Sequence, residues 1–265
     1  MQAPTRSHML FELVALLVVF VLVQGVYAGI IRPTAVATLQ AQAEAMRTDP
    51  NFVPARTFSV IAKDYEQETC FVLSFWALII MGRKAWLANK ERQLAGTDVI
   101  GLREGMRVLP EDSREYLRHL DQLPTETRYC LMPRALYAAL ERFGATRSVT
   151  DASQAARNVC QMESDRMDTE LSMARFVAWA IPAIGFVGTV RGIGDSLQQA
   201  HKAIEGDITG VTAGLGVSFN ATLIALSLSI VVMFLLHQLQ LMQERMVLDT
   251  ESYVDDRLLR HLHVR

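Results

Sequence analysis

Cysteine is scarce in this chain: Cys70, Cys130 and Cys160 are the three, and no two of them form a CxxC pair. Neither a disulfide framework nor a zinc site is therefore implied. An excess of one charge is missing as well. The formal net charge of -2 over 265 residues gives no basis for a nucleic-acid partner or for any strongly charged one. The sequence also lacks GxxxxGK[ST], HExxH and GxSxG, so nothing supports an ATP-driven pump or a familiar hydrolase, and no enzymatic activity, metal or cofactor is expected. Strand-like alternation is nearly absent. The fold class these absences leave is all-α.

What is abundant is apolar sequence, at 51% of residues with a positive mean hydropathy, and it is gathered into blocks. The first, MLFELVALLVVFVLVQGVYAGII at 9–31, has about the 20 apolar residues that a spanning helix needs. CFVLSFWALIIMG opens a second span at 69–88. ARFVAWAIPAIGFVGTV is the third, and VTAGLGVSFNATLIALSLSIVVMFLLHQLQ the fourth. The expectation is an all-α membrane protein with about four transmembrane helices, TM1 to TM4, of which TM3 and TM4 extend into the cytoplasm.

Lys and Arg near the span ends set the orientation. Arg83, Lys84, Lys90 and Arg92 follow TM2, Arg175 precedes TM3, Arg245 follows TM4 and Arg6 precedes TM1. Both termini are then cytoplasmic. In chain order this gives TM1 at 9–31, an external segment at 32–68, TM2 at 69–88, a cytoplasmic helical insert at 89–150, a long helix with TM3 at 151–197, an external loop at 198–208, and TM4 with its cytoplasmic extension at 209–262. Val26-Tyr27-Ala28 before Gly29 also resembles a signal-peptidase site. Glu12 and the full spanning length favour a retained anchor.

Between the spans, 35–48 reads as a short polar helix ended by DPNFVP, and 55–69 as one amphipathic helix leading into TM2. Pro110, Pro124, Pro133 and Gly144 break the insert into helices such as 111–121 and 133–143. From Asp151 no breaker occurs before Pro182, and Ser148 or Thr150 can cap the helix start.

TM3 is rich in residues that weaken helices. Gly185, Gly188, Gly192 and Thr189 lie close together, and Gly188 and Gly192 form a GxxxG pair. In TM4, Gly210, Gly214, Ser218 and Thr222 recur every four residues, continued by Ala225 and Ser229. Small residues at this spacing let helices approach closely in lipid. Thr189 and Thr222 are nearly equidistant from the middle of the loop at Glu205 and Gly206, so in an antiparallel hairpin they share one depth, about 25 Å down at 1.5 Å per residue. Two readings stay open at this point. The hydroxyls can form a polar level that holds water or a carboxyl group from another chain, or each can bond its own i−4 carbonyl as ordinary packing.

GFVGTVRGI after Pro182 resembles the GLLGTVxGI signature of the MotA/TolQ/ExbB family, and GVSFNATLIAL resembles that family's TM4 segment with its central threonine. The likeness covers about residues 175–235. It implies a homo-pentamer in the bacterial inner membrane around a dimer of a single-span partner similar to MotB, ExbD or TolR, whose transmembrane Asp takes protons. Carried over, Thr189, Thr222 and Ser218 line the pore, while Pro182, Gly185, Gly188, Gly192, Gly210 and Gly214 shape and pack the helices. Ion flow, of H+ or alternatively Na+, then drives rotation or mechanical work. TM3 and TM4 hold no central carboxylate of their own, which independently calls for a partner. The alternatives are a non-conducting scaffold for signalling or envelope assembly, and a transporter permease.

Two departures from the family pattern stand out. Arg191 replaces an apolar or aromatic residue and is a candidate, with Asp195, for a gate or an interface anchor; it can snorkel, pair with Asp195 or Asp207, or control access. The Glu of ExbB-like members near the start of TM4 has no counterpart. Asn220 reads as interhelical glue, Glu12 as an inner-interface residue, and His201 and His237 as solvated.

Overall fold

A computed structural model describes residues 4–49, 52–95, 99–101 and 106–264. Pro50 and Asn51 of the expected DPNFVP break, the Arg6 side chain, and residues 96–98 and 102–105 of the insert lie outside the described residues. The chain is all-α, and the single β feature among the described residues is a bridge between Val108 and Leu262. Four helices are long and apolar enough to cross a membrane, within Leu10–Thr48, Tyr65–Gln93, Val149–Gln198 and Thr209–His261.

The chain divides into two compact units, Met1–Met81 with Met173–Leu236, and Gly82–Ser172 with His237–Arg265. In the first unit, α1 (Pro4–Val26) passes through a π turn at Tyr27–Ile31 into α2 (Arg32–Thr48) without interruption. The reason lies at Pro33, whose ring would clash with the Gly29 carbonyl of a regular turn and whose nitrogen cannot donate. The wider turn, closed by Arg32 N–H on the Tyr27 carbonyl, absorbs both problems, so the polar helix expected at 35–48 is an unbroken continuation of TM1.

The single amphipathic helix expected over 55–69 is instead two. The short α3 (Phe58–Ile61) stops, and α4 (Tyr65–Ala95) starts after a break at Ala62–Asp64. Gln67 turns its amide back to the last carbonyl of α3, Nε2 to Ile61 O at 3.1 Å. Glu66 and Glu68 occupy the first turn of α4, where carboxylates favour a helix start.

The second unit holds α5 (Ser113–Asp121), α6 (Thr125–Arg128), α7 (Leu131–Thr146) and α8 (Val149–Glu170). Its core gathers Leu131, Leu136, Leu140, Phe143, Cys160 and Leu258. Gly144 does not break α7. The helix runs on to Thr146 and ends at Arg147, with φ 54°. A Cβ at Gly144 would lie 3.3 Å from the Ser113 Cβ and 3.5 Å from the Pro110 carbonyl, so this glycine serves close packing. Ser148 caps α8 by accepting from Asp151 N at 3.2 Å; Thr150 already lies inside the helix.

Charges inside this unit are paired. Lys84, 7% exposed, donates to Glu170 at 2.8 Å, and Arg134 donates to Glu163 at 2.8 Å. A Glu91 carboxylate oxygen accepts from Leu131 N, satisfying one of the open donors at the start of α7.

The last elements are α9 (Ser172–Gln198), α10 (Ala200–Ile204) within the expected external loop, and α11 (Thr209–Arg257). One turn residue, Leu171, separates α8 from α9, so the helix expected over 151–197 carries a hitch there.

The α9–α11 seam as candidate functional site

The seam between α9 and α11 is built from the small residues. An added Cβ at Gly185 would lie 2.5 Å from the Ala225 Cβ, and one at Gly188 would lie 2.5 Å from the Ala221 Cβ. At Gly192 it would meet Ser218 Oγ at 2.5 Å and the Gly214 carbonyl at 2.6 Å; at Gly214, the Gly192 carbonyl at 2.7 Å. Gly210 is filled by the Gln199 side chain. At these five positions a methyl group would meet the facing helix or, at Gly210, the Gln199 side chain.

Close approach lets side-chain hydroxyls reach across. Ser196 Oγ donates to the Val211 carbonyl at 3.0 Å, Ser218 Oγ to the Thr189 carbonyl at 3.0 Å, and Ser229 Oγ to the Ala178 carbonyl at 3.1 Å. Steps of seven and then eleven residues on one helix match equal steps on the other, which fixes an antiparallel register. The Ser229 bond has a specific cause. Pro182 has no N–H to give to Ala178, its i−4 carbonyl, and Ser229 supplies the missing donor, so Pro182 is accommodated inside α9. Sequence reasoning placed Ser229 only in the small-residue stripe.

Thr189 and Thr222 meet directly, Oγ1 to Oγ1. Thr189 Oγ1 also lies 3.1 Å from the Gly185 carbonyl and 3.4 Å from that of Ser218, and Thr222 Oγ1 lies 3.2 Å from the Ser218 carbonyl. Each threonine oxygen thus lies within reach of its own i−4 carbonyl and of the other threonine, and the two hydroxyl protons can fill only two of these contacts at a time. Ser218 is 1% exposed and sits within the seam.

Arg191 pairs chiefly with a residue the sequence did not suggest. Its Nε and Nη2 donate to the two oxygens of Glu66 on α4, at 2.6 and 2.8 Å, while Asp64 and Asp195 are both at 3.9 Å. Asp207 is engaged elsewhere. Its Oδ1 accepts from Thr209 N at 3.0 Å, and the Thr209 hydroxyl and backbone together hold the Asp207 carboxyl below the usual carboxylate range. Glu66 also brings its Cγ within 3.3 Å of a Cβ built at Gly188, so a carboxylate does approach α9, but its oxygens are committed to Arg191.

Asn220 makes no interhelical hydrogen bond among the described residues. Its Oδ1 is buried without a partner beside a cavity of about 760 Å³ that also touches Gln42, Lys63, Asp195, Gln199 and Thr212. The Glu12 carbonyl accepts from Trp76 Nε1 at 2.8 Å, tying α1 to α4. No cluster of metal-ligating side chains is present among the described residues.

Neither a curated protein nor a solved structure matches this chain. Residues 130–252 match the family model described as the MotA/TolQ/ExbB proton channel family. That stretch extends beyond the signature at 175–235 to include α7, α8 and part of the helix below TM4. Residues 130–252, with the paired threonines and glycine seam at their centre, are thus similar to the MotA/TolQ/ExbB proton channel family.

Proposed function

We propose that this chain is the stator-like subunit of an ion-driven motor, with Thr189 and Thr222 lining the ion path. The observation that carries this reading is the direct contact of the two hydroxyls, at a level where neither α9 nor α11 supplies a carboxylate. Five copies surround a dimer of a MotB-, ExbD- or TolR-like single-span protein, whose transmembrane Asp passes the threonine level and carries protons. An intramembrane carboxylate is costly and marks proton paths; here the two polypeptides divide the carboxylate and its polar surroundings between them. H+ is the transported ion, and Na+ is the alternative because hydroxyl oxygens suit hard cations.

The complex lies in the inner membrane with both termini cytoplasmic, as the distribution of Lys and Arg supports. The proton motive force then turns the two-helix core inside the five-fold ring. Support for a membrane-embedded assembly also comes from the exposed apolar side chains Phe186, Val187, Val190, Phe219 and Leu223, which need lipid or neighbouring helices to cover them.

The i−4 bonds of both threonines favour a second reading, a non-conducting scaffold in which the pair only packs. One experiment separates the two. The complex is purified through a tag on this chain together with the products of neighbouring genes, weighed by native mass spectrometry, and assayed for ion flux in vesicles. The motor reading expects five copies with two of a small single-span protein, and flux lost in Thr222→Val with the assembly intact. Normal conduction by the valine variant sinks the pore assignment; a lone monomer or dimer in mild detergent favours the scaffold.

A further inference from the structure

A trough runs between α1 and α4. Val19, Val23 and Tyr27 form its buried floor, packed with Val72, while Leu22 at 64% exposure and Phe75 at 47% stand along its walls. Phe58 of α3 leans on Phe71 with ring centroids 6.3 Å apart and lines the trough on the side of Tyr27, whose ring centroid is 6.4 Å from that of Phe71. The volume is about 470 Å³, inside the range of about 300–1,000 Å³ usual for small-ligand pockets.

From Val19 to Ile31 the trough follows α1 for roughly 18 Å at 1.5 Å per residue. That is close to one leaflet, half of a hydrocarbon core about 30 Å thick.

Water does not fill a void lined by carbon. In a bilayer, moreover, a second protein gains no hydrophobic drive by entering one. An acyl chain therefore has the same apolar fit without the need for a matching protein surface.

The residue that follows the trough at its Ile31 end favours a phospholipid. Arg32 follows Ile31 directly, with its Cζ 4.4 Å from the Tyr65 ring centroid and 5.9 Å from that of Tyr27. Its Nη2 is held by Glu68 at 2.5 Å, which fixes the guanidinium. Its other N–H groups have no protein acceptor among the described residues, and a guanidinium fork matches phosphate oxygens. We propose that this trough holds one acyl chain of a phospholipid whose phosphate is bound by Arg32. The proposal rests on the spans being in a membrane and is independent of whether the chain conducts.

The test uses the full chain with whatever copurifies, extracted from membranes of phosphatidylethanolamine and phosphatidylglycerol and washed with delipidating detergent. Native mass spectrometry should show one phospholipid retained per copy. Leu22→Trp, which enlarges an exposed wall residue without touching the floor, should remove it, and Arg32→Gln should release it about tenfold faster for the loss of one charge-assisted contact. A melting temperature within the wild-type range certifies that each variant is folded. Wild type without bound lipid overturns the proposal, as does equal retention by both variants. So does efficient cross-linking of Leu22→Cys to a neighbouring copy, which would make the trough a subunit interface.

Discussion

Arg191 of α9 grips Glu66 of α4 in a two-pronged pair, Nε to Oε1 at 2.6 Å and Nη2 to Oε2 at 2.8 Å. A guanidinium in a mainly apolar helix end is thereby matched, and the second span is tied to the third. Glu66→Gln removes the charge but keeps an amide in place. It should lower stability by about 1–2 kcal/mol, since Arg191 is 41% exposed and water compensates in part. Adding Arg191→Gln should recover part of that loss. Melting curves of the purified complex give the coupling; strictly additive losses would show that the pair is incidental.

Pro182 and Ser229 should be coupled in the same sense. Ser229→Ala leaves the Ala178 carbonyl without a donor, at a cost of about 0.5–1.5 kcal/mol. With Pro182→Ala the backbone donor returns, and the same serine change should then cost much less. An undiminished cost in that background would mean that the Ser229 hydroxyl matters for another reason.

The glycines divide into two groups. Gly185→Ala and Gly188→Ala force a methyl group to 2.5 Å from a facing Cβ and should each destabilise by about 1–3 kcal/mol. Ala225→Gly should rescue the first. Gly194 and Gly216 have open space around them, so alanine there should be neutral or slightly stabilising. Thermal unfolding of the four variants checks the division, and equal losses at all four would argue against the close-packed seam.

Cys130 tests the second unit. Burial, followed by the charge of Glu91, pushes its thiol up to about 11. A raised pKa means less thiolate at any given pH. At pH 7.5 native Cys130 should therefore alkylate about a hundredfold more slowly than in the unfolded chain, with the rate still climbing tenfold per unit beyond pH 9. Peptide mapping after iodoacetamide pulses follows this one site; a plateau near pH 9 would show an unburied thiol.

The sequence made the spans visible because hydropathy over about 20 residues needs no tertiary knowledge. The hydroxyl pair was legible for a similar reason: counting outward from the loop at Glu205 uses only the rise of a helix. Partners on other spans were not. Glu66 is 125 residues from Arg191, and hydropathy does not report how α4 is rotated about its axis. The break at Ala62–Asp64 depends on a Gln67 side chain folding back, which competes with a helical pattern that looks continuous. Gly144 looks like a breaker in the sequence because nothing there reveals its neighbour, Ser113. The role of Ser229 did have a signal, since a proline within a helix leaves a known carbonyl open and a serine at suitable register can close it.

The Thr189–Thr222 contact also sets an inventory of hydrogens. Two hydroxyls carry two protons, and the contact consumes one while a backbone carbonyl at 3.1 to 3.4 Å takes the other. What remains facing outward is lone-pair density. On the motor reading proposed above, such a pair would favour the protonated form of a partner's acid over its ionised form, because it offers acceptors and no spare hydrogen.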